Sequence, residues 1–149
     1  MTTTLLRDLA LLAGRVAVGV VFIAHGWQKL TESGPAGTAA GFAQMGVPLP
    51  TASAWFATFV ELVGGAALVL GLATPVAGVL LALNMLGAFV LVHAGNGVFV
   101  AENGFELVLT LAAASLMLAA VGAGRFSLDR LVAPRLPGLA RRETAGAAN

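Results

Sequence analysis

Residues 9–30 read LALLAGRVAVGVVFIAHGWQKL. The stretch is apolar except at Arg15, His25, Gln28 and Lys29. A helix rises about 1.5 Å per residue, so roughly 20 such residues cross the hydrocarbon layer of a bilayer. Residues 9–30 therefore have the length and composition of a transmembrane helix. A secretory signal peptide is the rival reading. It fits poorly, because Arg15 interrupts the apolar run and no clear small-x-small cleavage site precedes His25-Gly26-Trp27-Gln28-Lys29.

Three more stretches follow the same pattern. Residues 52–72 carry Glu61 near their middle, residues 76–93 carry no formal charge before His93 at their end, and residues 105–123 begin at Glu106 after one residue. The expected fold is an all-α membrane protein, a four-transmembrane-helix bundle. The bulk composition agrees: of 149 residues 58% are hydrophobic and 10% charged, with a mean hydropathy of +0.93. An ordinary soluble domain is about 45–50% apolar and about 25% charged. A soluble enzyme and a disordered chain are both excluded. The net charge of +1 gives no electrostatic footprint for nucleic acid. With no cysteine, disulfides, iron–sulfur clusters, thiolate zinc sites and thiol chemistry by this chain are excluded.

The connections are short. Ala73-Thr74-Pro75 marks a tight turn between the second and third spans, because Pro suits the start of a helix and cannot continue one. Gly95-Asn96-Gly97 opens the loop before the fourth. The first connection, 31–51, contains Gly34-Pro35 and Pro48-Leu49-Pro50 around a mildly apolar piece, Ala39 to Met45. That piece reads as a short interfacial or re-entrant helix, with a plain loop as the alternative. Arg125, Arg130, Arg135, Arg141 and Arg142 follow the fourth span, whereas the connections on the other side offer Lys29, Glu32 and Glu102. The excess of Arg predicts a cytoplasmic C-terminus, and four spans put the N-terminus, with Arg7, on the same side. The domain expected is 1–131, followed by a basic, disordered tail over 132–149.

Charge at bilayer depth costs at least about 2.5–3.5 kcal/mol, so intramembrane polar groups are expected to face the bundle and to have partners. Arg15 and Glu61 stand within an arginine's reach in height and are expected as a buried ion pair or proton relay. Arg15 leaning toward the cytoplasm is the obstacle to this pairing, and snorkelling is its alternative. At the outer end His25 and Lys29 share a helix face with Gln28 close by. His93, Glu102, Asn103 and Glu106 come from the other side. Together they suggest a polar pocket, with interfacial anchoring by Trp27 and Lys29 and a dipole preference at Glu106 as structural alternatives. Asn84 fits either a pocket donor or interhelical glue. Two histidines and a carboxylate lack the spacing of a known metal motif, so no metal is expected. A quinone headgroup suits the group better: it needs donors to its carbonyls and a proton route, which His25, Gln28, His93 and Glu106 provide.

The chain resembles the DoxX family of small four-helix bacterial membrane proteins. The likeness rests on Arg15 with Gly19, Phe22 and His25-Gly26-Trp27-Gln28-Lys29; on Glu61-Leu62-Val63-Gly64-Gly65 running into Gly71-Leu72-Ala73-Thr74-Pro75; on Asn103-Gly104-Phe105-Glu106; and on the exit Gly122-Ala123-Gly124-Arg125-Phe126-Ser127-Leu128-Asp129. It spans about 9–131. The turn at Thr74-Pro75 departs from the family pattern, which often has a basic residue there. The resemblance implies a multi-pass protein of the bacterial cytoplasmic membrane. Some members are linked to quinone-coupled sulfur oxidation, and others are similar to a mycobacterial protein proposed to join superoxide dismutase and a sulfurtransferase.

These readings lead to an integral membrane subunit of a redox system, with quinone as the expected cofactor and without haem, metal or iron–sulfur cluster. Its expected partners are the bilayer, soluble redox enzymes that bring any thiols, and further copies of the chain. A non-catalytic scaffold docking soluble enzymes and a small oligomeric carrier or channel are the alternatives.

Overall fold

The computed structural model describes residues 2–132, and every regular element among them is helical. Helix α1 runs over Thr2–Thr31, α2 over Gly34–Gln44, α3 over Pro50–Leu70 and α4 over Thr74–Ala88. The last continues into a π-helical turn, Phe89–His93, and a 3₁₀ turn, Val100–Glu102, then leads to α5, Glu106–Val121, and a short α6, Leu128–Val132. Three helices, Thr3–Thr31, Pro50–Leu70 and Thr74–His93, are long and apolar enough to cross a membrane. Helix α5 is equally apolar but has 16 residues. The tail expected over 132–149 lies, beyond Val132, outside the described residues.

Prolines set three of these starts. Pro35, Pro50 and Pro75 stand in the first turns of α2, α3 and α4, where the missing N–H costs nothing. Helix α3 stops at Gly71, which takes a left-handed φ of 66°. The amide of Leu72 donates to the Ala67 carbonyl at 2.8 Å and that of Gly71 to Leu68 at 3.1 Å, a Schellman ending. The connection between α1 and α3 does hold a helix, longer than the Ala39–Met45 piece. Helix α2 packs on α3 and reaches α1 through Thr38, whose Oγ1 donates to the Lys29 carbonyl at 3.1 Å.

The helices pack in chain order, α1 on α3, α3 on α4 and α4 on α5. In lipid, close approach of backbones substitutes for the hydrophobic effect. A Cβ at Gly19 would stand 2.6 Å from the Gly65 carbonyl oxygen, and one at Gly65 2.8 Å from that of Gly19. A Cβ at Gly78 would stand 2.6 Å from the Ser115 carbonyl oxygen. Around these contacts lie Phe22, Leu68, Leu81, Met85, Leu111 and Leu118, all buried.

Arg15 does not meet Glu61. It is fully buried at the opposite end of α3, where Nη1 donates to the Leu68 carbonyl at 3.4 Å and Nη2 to the Phe126 carbonyl. A side chain on a helix leans toward the helix N-terminus. Arg15 therefore points away from Glu61 and down to the Leu68 carbonyl in the last turn of α3 and the Phe126 carbonyl of the exit segment. A side chain at Gly71 would collide with this guanidinium, so the glycine serves both the turn and the arginine. Asp129 completes the end. Its amide donates to the Gly71 carbonyl at 2.9 Å, and its carboxylate accepts from Ala73 N at 2.7 Å and Thr74 N at 3.2 Å. It is an N-cap for α4 delivered from the far end of the chain, and it holds Ala73 in a left-handed φ of 47° that alanine disfavours. It also sets an opposing charge beside Arg15.

Two outcomes follow. Gly19→Ala and Gly41→Ala gain the same helix propensity, yet only Gly19 is crowded by backbone; nothing stands within 4 Å of a Cβ at Gly41. Thermal unfolding in detergent should show Gly41→Ala neutral or stabilised and Gly19→Ala destabilised by about 1–3 kcal/mol. Asp129→Ala should cost about 0.5–2 kcal/mol, the worth of a helix cap. In hydrogen exchange, the increase should concentrate at Ala73 and Thr74.

Candidate functional site

The functional candidates converge around Glu61. Its side chain is 3% exposed, in the middle of α3 and about 16 Å in from the start of that helix. Oε2 pairs with Lys29 Nζ at 2.7 Å, and Oε1 accepts from Asn84 Nδ2 at 3.2 Å. Side-chain direction explains the partnership. Helices α1 and α3 are antiparallel neighbours, so Lys29 leaning toward the start of α1 and Glu61 leaning toward the start of α3 approach each other. Gly26 allows the close packing needed, since a Cβ there would stand 3.1 Å from the Glu61 Cβ. Gly64 and Gly65, next to Glu61 in sequence, have other tasks: Gly64 receives Leu81, and Gly65 receives α1 at Gly19.

Beside this triad lies a cavity of about 650 Å³. Helix α1 lines it with Phe22, His25, Gln28 and Lys29, and α3 with Phe56 and Glu61. Asn84 and His93 come from α4 and its π turn, and Asn103 and Leu111 from the far wall. Phe42, Met45 and Val47, from α2 and the turn after it, close another side. The volume suits one small organic ligand, and the mixture of an apolar wall with a few convergent polar groups is typical of such sites.

The loop between the π turn and α5 is fixed by its own hydrogen bonds. His93 Nδ1 lies 2.8 Å from the Asn103 carbonyl oxygen. A carbonyl only accepts, so Nδ1 carries the hydrogen, and in the neutral ring Nε2 is the acceptor. Asn103 takes a left-handed φ of 60°, and a Cβ at Gly104 would stand 2.5 Å from the Val98 carbonyl carbon. Phe89 and Phe105 meet edge to face, 5.4 Å between centroids, across the same junction.

His25, Gln28 and His93 line one cavity, together with Lys29, Asn84 and Asn103. Gln28 also donates to Glu32 at 3.3 Å, whereas His25 has no hydrogen bond among the described residues. Glu106 does not line the cavity. Its Oε1 accepts from the Val100 amide at 2.7 Å and ties the loop that precedes α5. Glu102 is exposed on the 3₁₀ turn, also outside the cavity lining. Glu61 joins Lys29 and Asn84 at the cavity rather than Arg15. The tight turn at Gly71–Ala73 carries the signal for this: Glu61 lies ten residues before Gly71 and Asn84 ten after Thr74, so antiparallel helices bring them level. Among the described residues no group of three or more His, Asp or Glu side chains is placed to hold a metal ion.

The cavity contains, in chemical terms, a charge-neutral ion pair, several hydrogen-bonding amides and two imidazoles against an apolar wall. The DoxX family model matches residues 10–94. The protein named "Putative oxidoreductase CatD" of Bacillus subtilis (strain 168) is 36% identical over 118 residues, covering 79% of this chain and 83% of that one. Inner membrane protein YphA of Escherichia coli (strain K12) is 34% identical over 129 residues, 83% of this chain and 91% of that one. Inner membrane protein YqjF of the same organism is 34% identical over 131 residues, covering 85% and 95%. No solved structure matches the chain. Helices of spanning length, together with relatives named as inner membrane proteins, make this a multi-pass protein of the bacterial cytoplasmic membrane. The family match over residues 10–94, which carry the Lys29–Glu61–Asn84 triad, identifies the chain as a member of the DoxX family.

Proposed function

We propose that the chain is the membrane subunit of a redox system and that its cavity binds a quinone. The carrying observation is the cavity itself: about 650 Å³ of mostly apolar space into which His25, Gln28, Lys29, Asn84 and His93 bring hydrogen-bonding groups. The name of the Bacillus subtilis relative, an oxidoreductase, agrees with this reading. The residues fit the ligand chemically. A quinone ring presents two carbonyl acceptors on a flat apolar body, and the donors here come from two sides, His25 and Gln28 on α1 and Asn84 on α4. Phe22, Phe42 and Phe56 supply ring-sized apolar surface.

The bound quinone would supply the electron chemistry. The chain's own residues position the ring, keep water from it and hold protons near its oxygens. His25, whose ring has no hydrogen-bond partner among the described residues, is the donor able to turn toward a ligand. The Lys29–Glu61 pair keeps a proton and its counter-charge together at the cavity wall. In the same reading the chain crosses the bilayer four times, α5 included, with both termini cytoplasmic. Arg7, Arg125 and Arg130 then lie on the inner side, and the cavity opens toward the outer half of the membrane. With no cysteine in the chain, sulfur or thiol chemistry falls to soluble partners.

The test is extraction of the protein, purified in mild detergent, with organic solvent, followed by mass spectrometry of the quinone released. Near-stoichiometric quinone is expected from the wild type and from Glu106→Gln, whose carboxylate ties a loop. At least about tenfold less is expected from His25→Leu, the loss of one hydrogen bond to a ligand. Absence of quinone from a folded wild type would overturn the assignment and favour a scaffold.

A further inference from the structure

The Glu61 carboxylate has both oxygens engaged, yet neither of its partners is exhausted. Lys29 has three N–H groups and uses one on Oε2; Asn84 has two and uses one on Oε1. Both side chains line the cavity, and Lys29 keeps 22% of its side chain exposed while Glu61 keeps 3%. The carboxylate thus fixes a cation and an amide, from α1 and α4, on the same wall with donors to spare. The donors are also charge-balanced, because Glu61 cancels Lys29. A balanced pair of donors favours a neutral acceptor over an anion, which Glu61 would repel.

We propose that Lys29 Nζ and Asn84 Nδ2, aimed by Glu61, form a two-donor site for a single neutral ligand oxygen, the carbonyl of a planar ring. Glu61 is then a positioning residue rather than a ligand contact. The inference deepens the quinone reading by naming the group that the wall recognises, and it assigns selectivity to residues other than His25. The logic is that of an oxyanion hole: fixed donors hold an acceptor oxygen and require no rearrangement when charge grows on it. A pocket built around hydrogen bonds to a ligand oxygen rejects the analogue that lacks that oxygen, because its donors are then left dry and unpaired.

The experiment uses two ligands of one shape, 2,3-dimethyl-1,4-naphthoquinone and 2,3-dimethylnaphthalene. Binding to the full-length protein in detergent is followed by calorimetry, with partition into empty micelles subtracted. The chain has no thiol to add to the quinone. The wild type should prefer the quinone by at least about a hundredfold. Asn84→Leu removes one donor and should reduce the preference by about tenfold. The double variant Lys29→Gln with Glu61→Gln removes the ammonium without stranding a buried charge and should reduce it further. Circular dichroism and thermal unfolding of each variant check that binding, rather than folding, is lost. Equal affinity of the two ligands for the wild type, or no binding of either, overturns the proposal. So does a preference that survives in both Asn84→Leu and the double variant. Failure here, with native quinone still released on extraction, leaves the quinone site elsewhere in the cavity. A carbonyl preference without co-purified quinone keeps this site and removes the quinone reading.

Discussion

A carboxylate held away from water must be matched where it stands, and Glu61 is matched from two helices at once. Lys29 supplies the charge and Asn84 the second hydrogen bond, so α1, α3 and α4 are tied at one level. The arrangement depends on direction as much as on distance, because antiparallel neighbours lean their side chains toward each other at one level and apart at another. It also depends on Gly26, where any side chain would push α1 off the Glu61 stem. Removing one partner of such a pair strands the other, which is why buried pairs hold a register more firmly than their net energy suggests.

The opposite end of the bundle uses the same materials for a different purpose. Arg15 lies about 21 Å from Lys29 along α1, counting 14 residues at 1.5 Å. There a cation closes the carbonyl end of α3, and an aspartate closes the amide end of α4. Arg15 meets two backbone carbonyls, Gly71 and the exit segment, and is wholly buried. At the other layer the lysine is partly open and faces a cavity. Between the two lies a zone of glycine contacts, Gly19 on Gly65 among them, which holds the spacing constant. The bundle thus has one closed polar layer that fixes topology and one open polar layer with room for a ligand.

Much of this was legible in the sequence. A bilayer demands long apolar helices, so length and composition alone locate α1, α3 and α4 to within a few residues at most ends. The start of α1 was missed because Thr2-Thr3-Thr4 and Arg7-Asp8 carry no apolar signal, although the backbone there is helical. The i, i+4 spacing of His25 and Lys29 correctly put them on one face. Arg15 and Glu61 do not pair, because the opposite lean of their side chains outweighs their similar height along the bundle. Glu106 was misplaced for another reason. Its role depends on a loop whose shape comes from Gly97, Asn103 and Gly104 meeting the π turn, and no local pattern in the sequence encodes that meeting.

The π turn explains how α4 and its continuation bring two polar side chains to the cavity. In a regular helix successive residues turn by about 100°, so Asn84 and His93, nine apart, would stand on roughly opposite faces. The i→i+5 bond from the Ala94 amide to the Phe89 carbonyl, 2.8 Å long, takes up one additional residue. Nine steps then count as about eight, and the separation falls to roughly 80°. Both side chains consequently line the cavity, one holding Glu61 and the other holding the loop. The weaker hydrogen bonding of a π turn is a local cost borne to aim a side chain. Had α4 stayed regular, His93 would turn away from the cavity, and the Asn103 carbonyl would keep only the longer bond from Asn96 Nδ2, at 3.4 Å.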